Sequence, residues 1–199
     1  MPAAILAAAV VLNALLIGVL AHQSRVPAAA AAHRSFTDLA PEDRPASKVT
    51  IGDGAVPEGV TVFDDEIPAV ANLDDDLLAA LRRAATEAAA DQVEFVVNSG
   101  WRSPKYQDQL LREAVVEYGS ETEAARWVAT PDTSAHVSGD AVDIGPSDAA
   151  AWLSANGAAH GLCQIYGNEP WHFELRPDAV EHGCPPLHAD PTQDARMRQ

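Results

Sequence analysis

The segment Ser134-Ala135-His136-Val137-Ser138-Gly139-Asp140-Ala141-Val142-Asp143, with Glu169-Pro170-Trp171-His172 downstream, organises the whole sequence. His136 and Asp143 lie too far apart to meet at one ion from a single helix, and Gly139 between them calls for a turn. Residues 141–144 then alternate like a short strand, with Ala141 and Asp143 on one side and Val142 and Ile144 on the other. In the second segment Pro170 biases Glu169 towards an extended backbone. Residues 171–175 read as another short strand, with His172 and Glu174 sharing a face. Two imidazoles and one carboxylate, His136, His172 and Asp143, are the ligand type and number of a catalytic zinc with one position left open. Glu169, a carboxylate outside that ligand set, suits the general base of a metal-assisted hydrolysis.

These residues carry a resemblance. Ser-x-His-x-x-Gly-x-Ala-x-Asp followed by Glu-x-Trp-His resembles the zinc D-alanyl-D-alanine carboxypeptidases of the VanY type, with the related D-Ala-D-Ala dipeptidases and L-alanyl-D-glutamate endopeptidases. Ser99-Gly100-Trp101-Arg102-Ser103 is similar to a Ser-Gly-Tyr-Arg-Ser element of that family, and Gln107 follows shortly after; the resemblance covers about residues 60–175. It implies a zinc D-Ala-D-Ala peptidase (hedgehog-like) fold, with Zn2+ held by His136, Asp143 and His172. It further implies Glu169 as general base and Arg102 as the cation facing the developing oxyanion. Trp101 stands where the family often has Tyr, which keeps an aromatic wall for substrate. Ser134 either orients the ligand loop or touches substrate, and Gln107 is either a substrate contact or a solvated helix residue. Glu174 is either a support for His172 or a competing base. The implied substrate is a peptidoglycan stem peptide ending in D-Ala-D-Ala; crosslink endopeptidase, free dipeptidase and non-catalytic zinc-stabilised wall-binding roles are the alternatives. The serine route to the same product is excluded: Ser103-Pro104-Lys105 puts lysine one residue too close for Ser-x-x-Lys.

Charge and composition agree. A formal net charge of -16 leaves no basic stripe for phosphates and argues against nucleic acid. Residues 3–21 are almost wholly apolar and long enough to span a bilayer, so 1–32 reads as a signal peptide or membrane anchor. Arg25 and Arg34 follow the apolar run and no basic residue precedes it, which alone would favour a cytoplasmic domain. A cell-wall substrate requires export, so the expected location is the extracytoplasmic cell envelope. Residues 33–55, with Pro41 and Pro45, read as a linker, 56–187 as the catalytic domain, and 188–199 as a flexible tail. The domain is expected to be monomeric. In an exported chain, Cys163 and Cys184 are most simply one disulfide, closing a loop that carries Glu169 and His172 and contributing roughly 3 kcal/mol. His160, His182 and His188 have no partner at ligand spacing.

The periodic segments predict an α+β fold. Asn72 caps a helix to about residue 90, and residues 93–98 form a strand that delivers Arg102. Ser103 and Pro104 open a helix to Tyr118, stopped by Gly119. Residues 120–123 read as a capping box for a helix to about residue 128, and Ser147 opens one running to His160. Helices first and short strands later, without regular alternation, favour α+β over a doubly wound sheet.

Overall fold

The computed structural model describes residues 48–198. The apolar segment at 3–21, with its choice between signal peptide and anchor, lies outside the described residues. Among the described residues no helix is long and apolar enough to cross a membrane. The elements run α1 (Pro68–Ala71), α2 (Asp75–Ala88), β1 (Val96–Ser99), α3 (Pro104–Tyr118), α4 (Glu121–Ala124) and α5 (Ala135–Ser138). There follow β2 (Ala141–Gly145), α6 (Ser147–Asn156), β3 (Leu162–Gln164), β4 (His172–Leu175) and α7 (Ala179–His182). The strands form one antiparallel sheet in the order β1-β2-β4-β3, flanked by helices, as the α+β expectation requires.

Period-two alternation sorts the strand residues onto two faces. Val97, Val142, Ile144, Leu162 and Phe173 join Leu77, Leu81 and Ala84 of α2 and Leu153 of α6 in one buried cluster. Each fully buried leucine there stabilises the fold by about 2–3 kcal/mol relative to an exposed one. Asp143, His172 and Glu174 take the alternate positions and therefore the other face. Across β2 and β4, Asp143 pairs directly with His172, and across β1 and β2, Ser99 pairs with Asp143. The sheet thus brings three sequence-distant segments to one spot.

The chain between His136 and the strand reverses at Gly139, whose φ is 86°. A Cβ there would also stand 2.5 Å from the carbonyl oxygen of Asn72. Asp74 N donates to Gly139 O at 2.9 Å, so the start of α2 and the ligand loop are tied together. Ser103 caps α3 by accepting from Tyr106 N, and Gly119 ends it in the left-handed region, as the sequence predicts. Cys163 and Cys184 are bonded.

Several boundaries differ from the sequence expectation, each for a local reason. The cap of α2 is Asp74, which accepts from Asp76 N and Leu77 N, because Asn72 is used to close α1. Strand β1 starts at Val96 because Val93 N is engaged by Ala88 O just after Gln92 turns left-handed. The helix after Ser120 lasts only one turn, and the final part of the expected 147–160 helix tightens into a 3-10 turn at Gly157–His160. Asp53, expected in the linker, accepts from the side chains of Ser103 and Lys105, so the domain reaches back before residue 56. The C-terminal residues expected as a tail dock instead. Arg126 donates to Asp190 at 3.0 Å and Tyr166 to Asp194 at 3.2 Å, pairings between groups too far apart in sequence to be matched beforehand.

Because Gly139 combines a left-handed backbone with a close approach, Gly139→Ala is expected to destabilise the protein by about 2 kcal/mol. Urea denaturation of the two proteins, compared by midpoint, measures it.

Candidate active site

Each candidate ligand is delivered by a different local device. Asp143 sits in mid-strand on β2, and His172 opens β4 opposite it. His136 rides the single turn α5, capped on its carboxyl side by Gly139. The segment after β1 grips this turn from two sides. Gly100 O accepts from His136 Nδ1 at 2.9 Å, and Arg102 N donates to His136 O at 3.1 Å. Gly100 is required there, since a Cβ would fall 2.1 Å from Ala69 O.

His136, Asp143 and His172 are all buried and converge. His136 Nε2 lies 3.4 Å and His172 Nδ1 3.3 Å from Asp143 Oδ1. Zinc with donors at ~2.0–2.1 Å in tetrahedral array sets its ligand atoms ~3.3 Å apart, so both separations from Asp143 suit that ion, and all three donors lie within 4.8 Å of one another. The ring nitrogens turned away from the centre are both engaged: His136 Nδ1 by Gly100 O, and His172 Nε2 by Glu174 Oε1 at 3.2 Å. That leaves the inward nitrogens with their lone pairs, the usual outer support of a metal-binding histidine. Asp143 Oδ1 and His172 Nδ1 are buried without a hydrogen-bond partner, the mark of groups built for an ion.

The charges support the same assignment. Burial alone would raise the Asp143 carboxyl, but His136, His172 and Arg102 hold it well below the usual carboxylate range. Burial would likewise lower His172, yet Asp143 and Glu174 hold it up at about 9. The centre therefore favours positive charge, the requirement a divalent cation meets. Burial lowers His136, with Arg102 acting in the same direction, which keeps that imidazole neutral. Glu169 lies on the turn between Tyr166 and His172, its N donating to Tyr166 O at 3.3 Å. Its Oε2 stands 3.7 Å from His172 Nδ1, and its Oε1 is buried without a partner. Burial pushes its pKa up to about 7, close to the value a general base needs at neutral pH.

Arg102 is held on three sides. Its Nε donates to Ser99 Oγ at 2.7 Å, Nη1 to Gln107 Oε1 at 3.1 Å and Nη2 to Asp143 Oδ2 at 3.0 Å. Gln107 is buried rather than solvated, and its amide nitrogen donates to Ala129 O at 2.8 Å. It orients Arg102 as well as lining the cleft. Ser134 also lines the cleft, and its hydroxyl caps no backbone N–H.

The cleft beside these groups encloses about 310 Å³. Trp101 is not among its lining residues; its N donates to Ala69 O instead. The aromatic walls come from Trp171, from Tyr166, and from Tyr118 and Trp127, stacked 5.7 Å apart and 11° from parallel. The sequence gives little sign of these except for Trp171, which adjoins His172. Tyr118 and Trp127 reach the cleft only because α3 and the turn after α4 fold against each other. Glu174 is buried against His172 and two arginines, which removes it as a competing base.

Comparison with known proteins gives a consistent picture. The sequence model of the VanY D-alanyl-D-alanine carboxypeptidases matches residues 70–178. A D-alanyl-D-alanine carboxypeptidase of Enterococcus faecalis is 33% identical over 111 residues, covering 43% of this chain and 41% of the relative. The chain thus spans under half the length of that curated relative. The vancomycin-resistance D,D-pentapeptidase VanY, solved as a point variant in complex with Zn(II), is 29% identical with a TM-score of 0.51. That match covers 56% of this chain and 75% of the solved one. VanYB in complex with D-Alanine-D-Alanine gives the same identity and score over 56% and 74%. The LdcB LD-carboxypeptidase, 22% identical at a TM-score of 0.51 over 68% and 73%, shares the fold.

The ligand geometry predicts that zinc stabilises the protein. Free zinc at a hundred times its Kd should add about 2.7 kcal/mol, read as a rise in Tm. In His172→Ala and Asp143→Ala the rise should vanish, and calorimetric titration should show stoichiometric zinc in the parent alone.

Proposed function

The chain belongs to the VanY family of D-alanyl-D-alanine carboxypeptidases, and from that premise we propose that it removes the terminal D-Ala from peptidoglycan stem peptides ending in D-Ala-D-Ala. The observation that carries this reading is the convergence of His136 Nε2, Asp143 Oδ1 and His172 Nδ1 beside the unpartnered carboxylate oxygen of Glu169. A purely structural metal site has no use for such a base.

Zinc held by His136, Asp143 and His172 would supply Lewis acidity, polarising the scissile carbonyl and acidifying a water. Glu169 takes the proton of the attacking water through Oε1 and returns it to the nitrogen of the departing D-Ala. Its raised pKa suits both transfers, since it must give the proton back as readily as it takes it. Arg102 donates to the oxygen on which negative charge grows. Three of its five N–H groups are engaged by Ser99, Gln107 and Asp143, so the guanidinium is fixed in place with donors to spare. A donor already fixed needs no reorganisation as the charge develops. The uncommitted hydroxyl of Ser134 and the indole of Trp171 contact the peptide. No acyl-enzyme forms along this route. The domain works outside the cytoplasmic membrane, where its substrate lies, with the N-terminal apolar segment as export signal or anchor.

The full-length protein loaded with zinc is expected to release D-Ala from a pentapeptide stem. Glu169→Gln should lower kcat by ~10²–10⁴ while zinc stoichiometry is kept. Arg102→Lys, which keeps charge but loses the fork, should lower kcat by ~10². Release from a crosslinked muropeptide or from free D-Ala-D-Ala, with the pentapeptide left intact, would replace the carboxypeptidase assignment by endopeptidase or dipeptidase. Zinc binding without hydrolysis of any of them would leave a wall-binding module.

A further inference from the structure

The strand that carries His172 also carries Glu174, and the C-terminal segment reaches back to it. Glu174 is 0% exposed. A carboxylate withdrawn from water in this way must be paired on both oxygens to be tolerated. Its Oε1 faces His172 Nε2 at 3.2 Å, and Arg176 Nη2 donates to Oε2 at 2.6 Å. Arg196 straddles the group: Nη1 donates to Oε2 at 2.7 Å and Nη2 to Oε1 at 3.2 Å. A two-point fork of this kind fixes the plane of a carboxylate, which a single contact leaves free to rotate.

Arg196 is itself held in place. Its Nε donates to both oxygens of Asp194, at 3.1 and 2.9 Å. Tyr166 Oη donates to Asp194 Oδ2 at 3.2 Å, and the Tyr166 ring lies 5.1 Å from the ring of His172. The contacts therefore run in a closed circuit: His172, Glu174, Arg196, Asp194, Tyr166 and back to His172. Asp194 and Arg196 lie beyond the residues matched by the family, which end at 178.

We infer that Arg196 is a positioning residue of the metal centre: by forking Glu174 it fixes the carboxylate that orients the His172 ring, so the C-terminal segment completes the site. This rests on the zinc-peptidase reading above. Outer partners of metal-binding histidines typically govern metal affinity by 10–100-fold. The Arg196 side chain is 42% exposed, so shortening it opens Glu174 to water without leaving a hole in the core.

The test compares the full-length chain with Arg196→Ala and Arg196→Lys. Zinc Kd is measured by competition with a chromophoric chelator, the ligand field by the visible spectrum of the cobalt(II)-loaded protein, and folding by the Tm of the metal-free form. Arg196→Ala is expected to raise the zinc Kd by ~10-fold and shift the cobalt bands, with a near-parental metal-free Tm. Arg196→Lys, which keeps the charge but loses the fork, is expected to raise Kd several-fold. If Arg196→Ala does not fold, Arg196→Lys decides by the same readouts. Parental Kd and cobalt spectrum in the folded variants would overturn the inference and leave the C-terminal segment as packing only. A parental protein that bound no zinc would instead remove the metal-site reading, and this inference with it.

Discussion

Everything in the site hangs on the register between β2 and β4, which sets Asp143 opposite His172. Side chains in strands alternate, so a slip of one residue in either strand would turn a candidate ligand into the core and an apolar residue into the cleft. Val142, Ile144 and Phe173 prevent that slip by demanding burial against α2 and α6. The hydrophobic face of the sheet thus aims the polar one. Burying the core and aligning the candidate metal ligands are one event, which is why so small a sheet can hold a precise site.

The second constraint is the cost of burying charge. Asp143, Glu169 and Glu174 are all buried within a few residues' reach of each other, and an unpaired ion in such surroundings costs several kcal/mol. The protein meets the cost in three ways. Asp143 is surrounded by two imidazoles and Arg102 and remains ionised. Glu174 is held well below the usual carboxylate range, burial opposing but His172, Arg196 and Arg176 prevailing. At Glu169 burial outweighs the opposing pull of His172 and Arg102, and its pKa rises to about 7. Three carboxylates thereby take different chemical characters from their neighbours: Asp143 and Glu174 are held ionised, whereas Glu169 is raised to about 7. The carboxylate with the raised pKa is the one proposed to exchange protons.

The loop after β1 and the C-terminal segment brace the centre from opposite sides. The loop fixes His136 through Gly100 and Arg102, and Arg102 is fixed in turn by Ser99 at the end of β1 and Gln107 on α3. The C-terminal segment holds Glu174 and contributes Pro191 and Met197 to the cleft wall. The Cys163–Cys184 bond ties β3 to the chain beyond α7, closing the loop that contains Glu169 and His172. The connections around the cleft are therefore tethered where they carry a candidate functional side chain.

Local chemistry made much of this legible in advance. Gly139 between His136 and Asp143, Ser103-Pro104 before α3, Gly119 after it, and the alternation of residues 141–144 and 171–175 each encode a local backbone state. Their elements follow with only small shifts of boundary. The convergence of His136, Asp143 and His172 beside Glu169 was also readable, because donor types at fixed spacing within a strand or turn express local geometry. What the sequence left open depended on distant partners. Gln107 reads equally as a substrate contact or a solvated helix residue until α3 packs over Arg102, and the apparent tail reads as flexible until Arg196 finds Glu174. Trp101 sits in the motif yet misses the cleft, whereas Tyr118 and Trp127 have no motif and line it. Local backbone preferences act over a few residues and are written in the sequence. Pairing of buried charges and the walls of a cleft come from contacts between segments tens of residues apart, and only the folded chain brings those together.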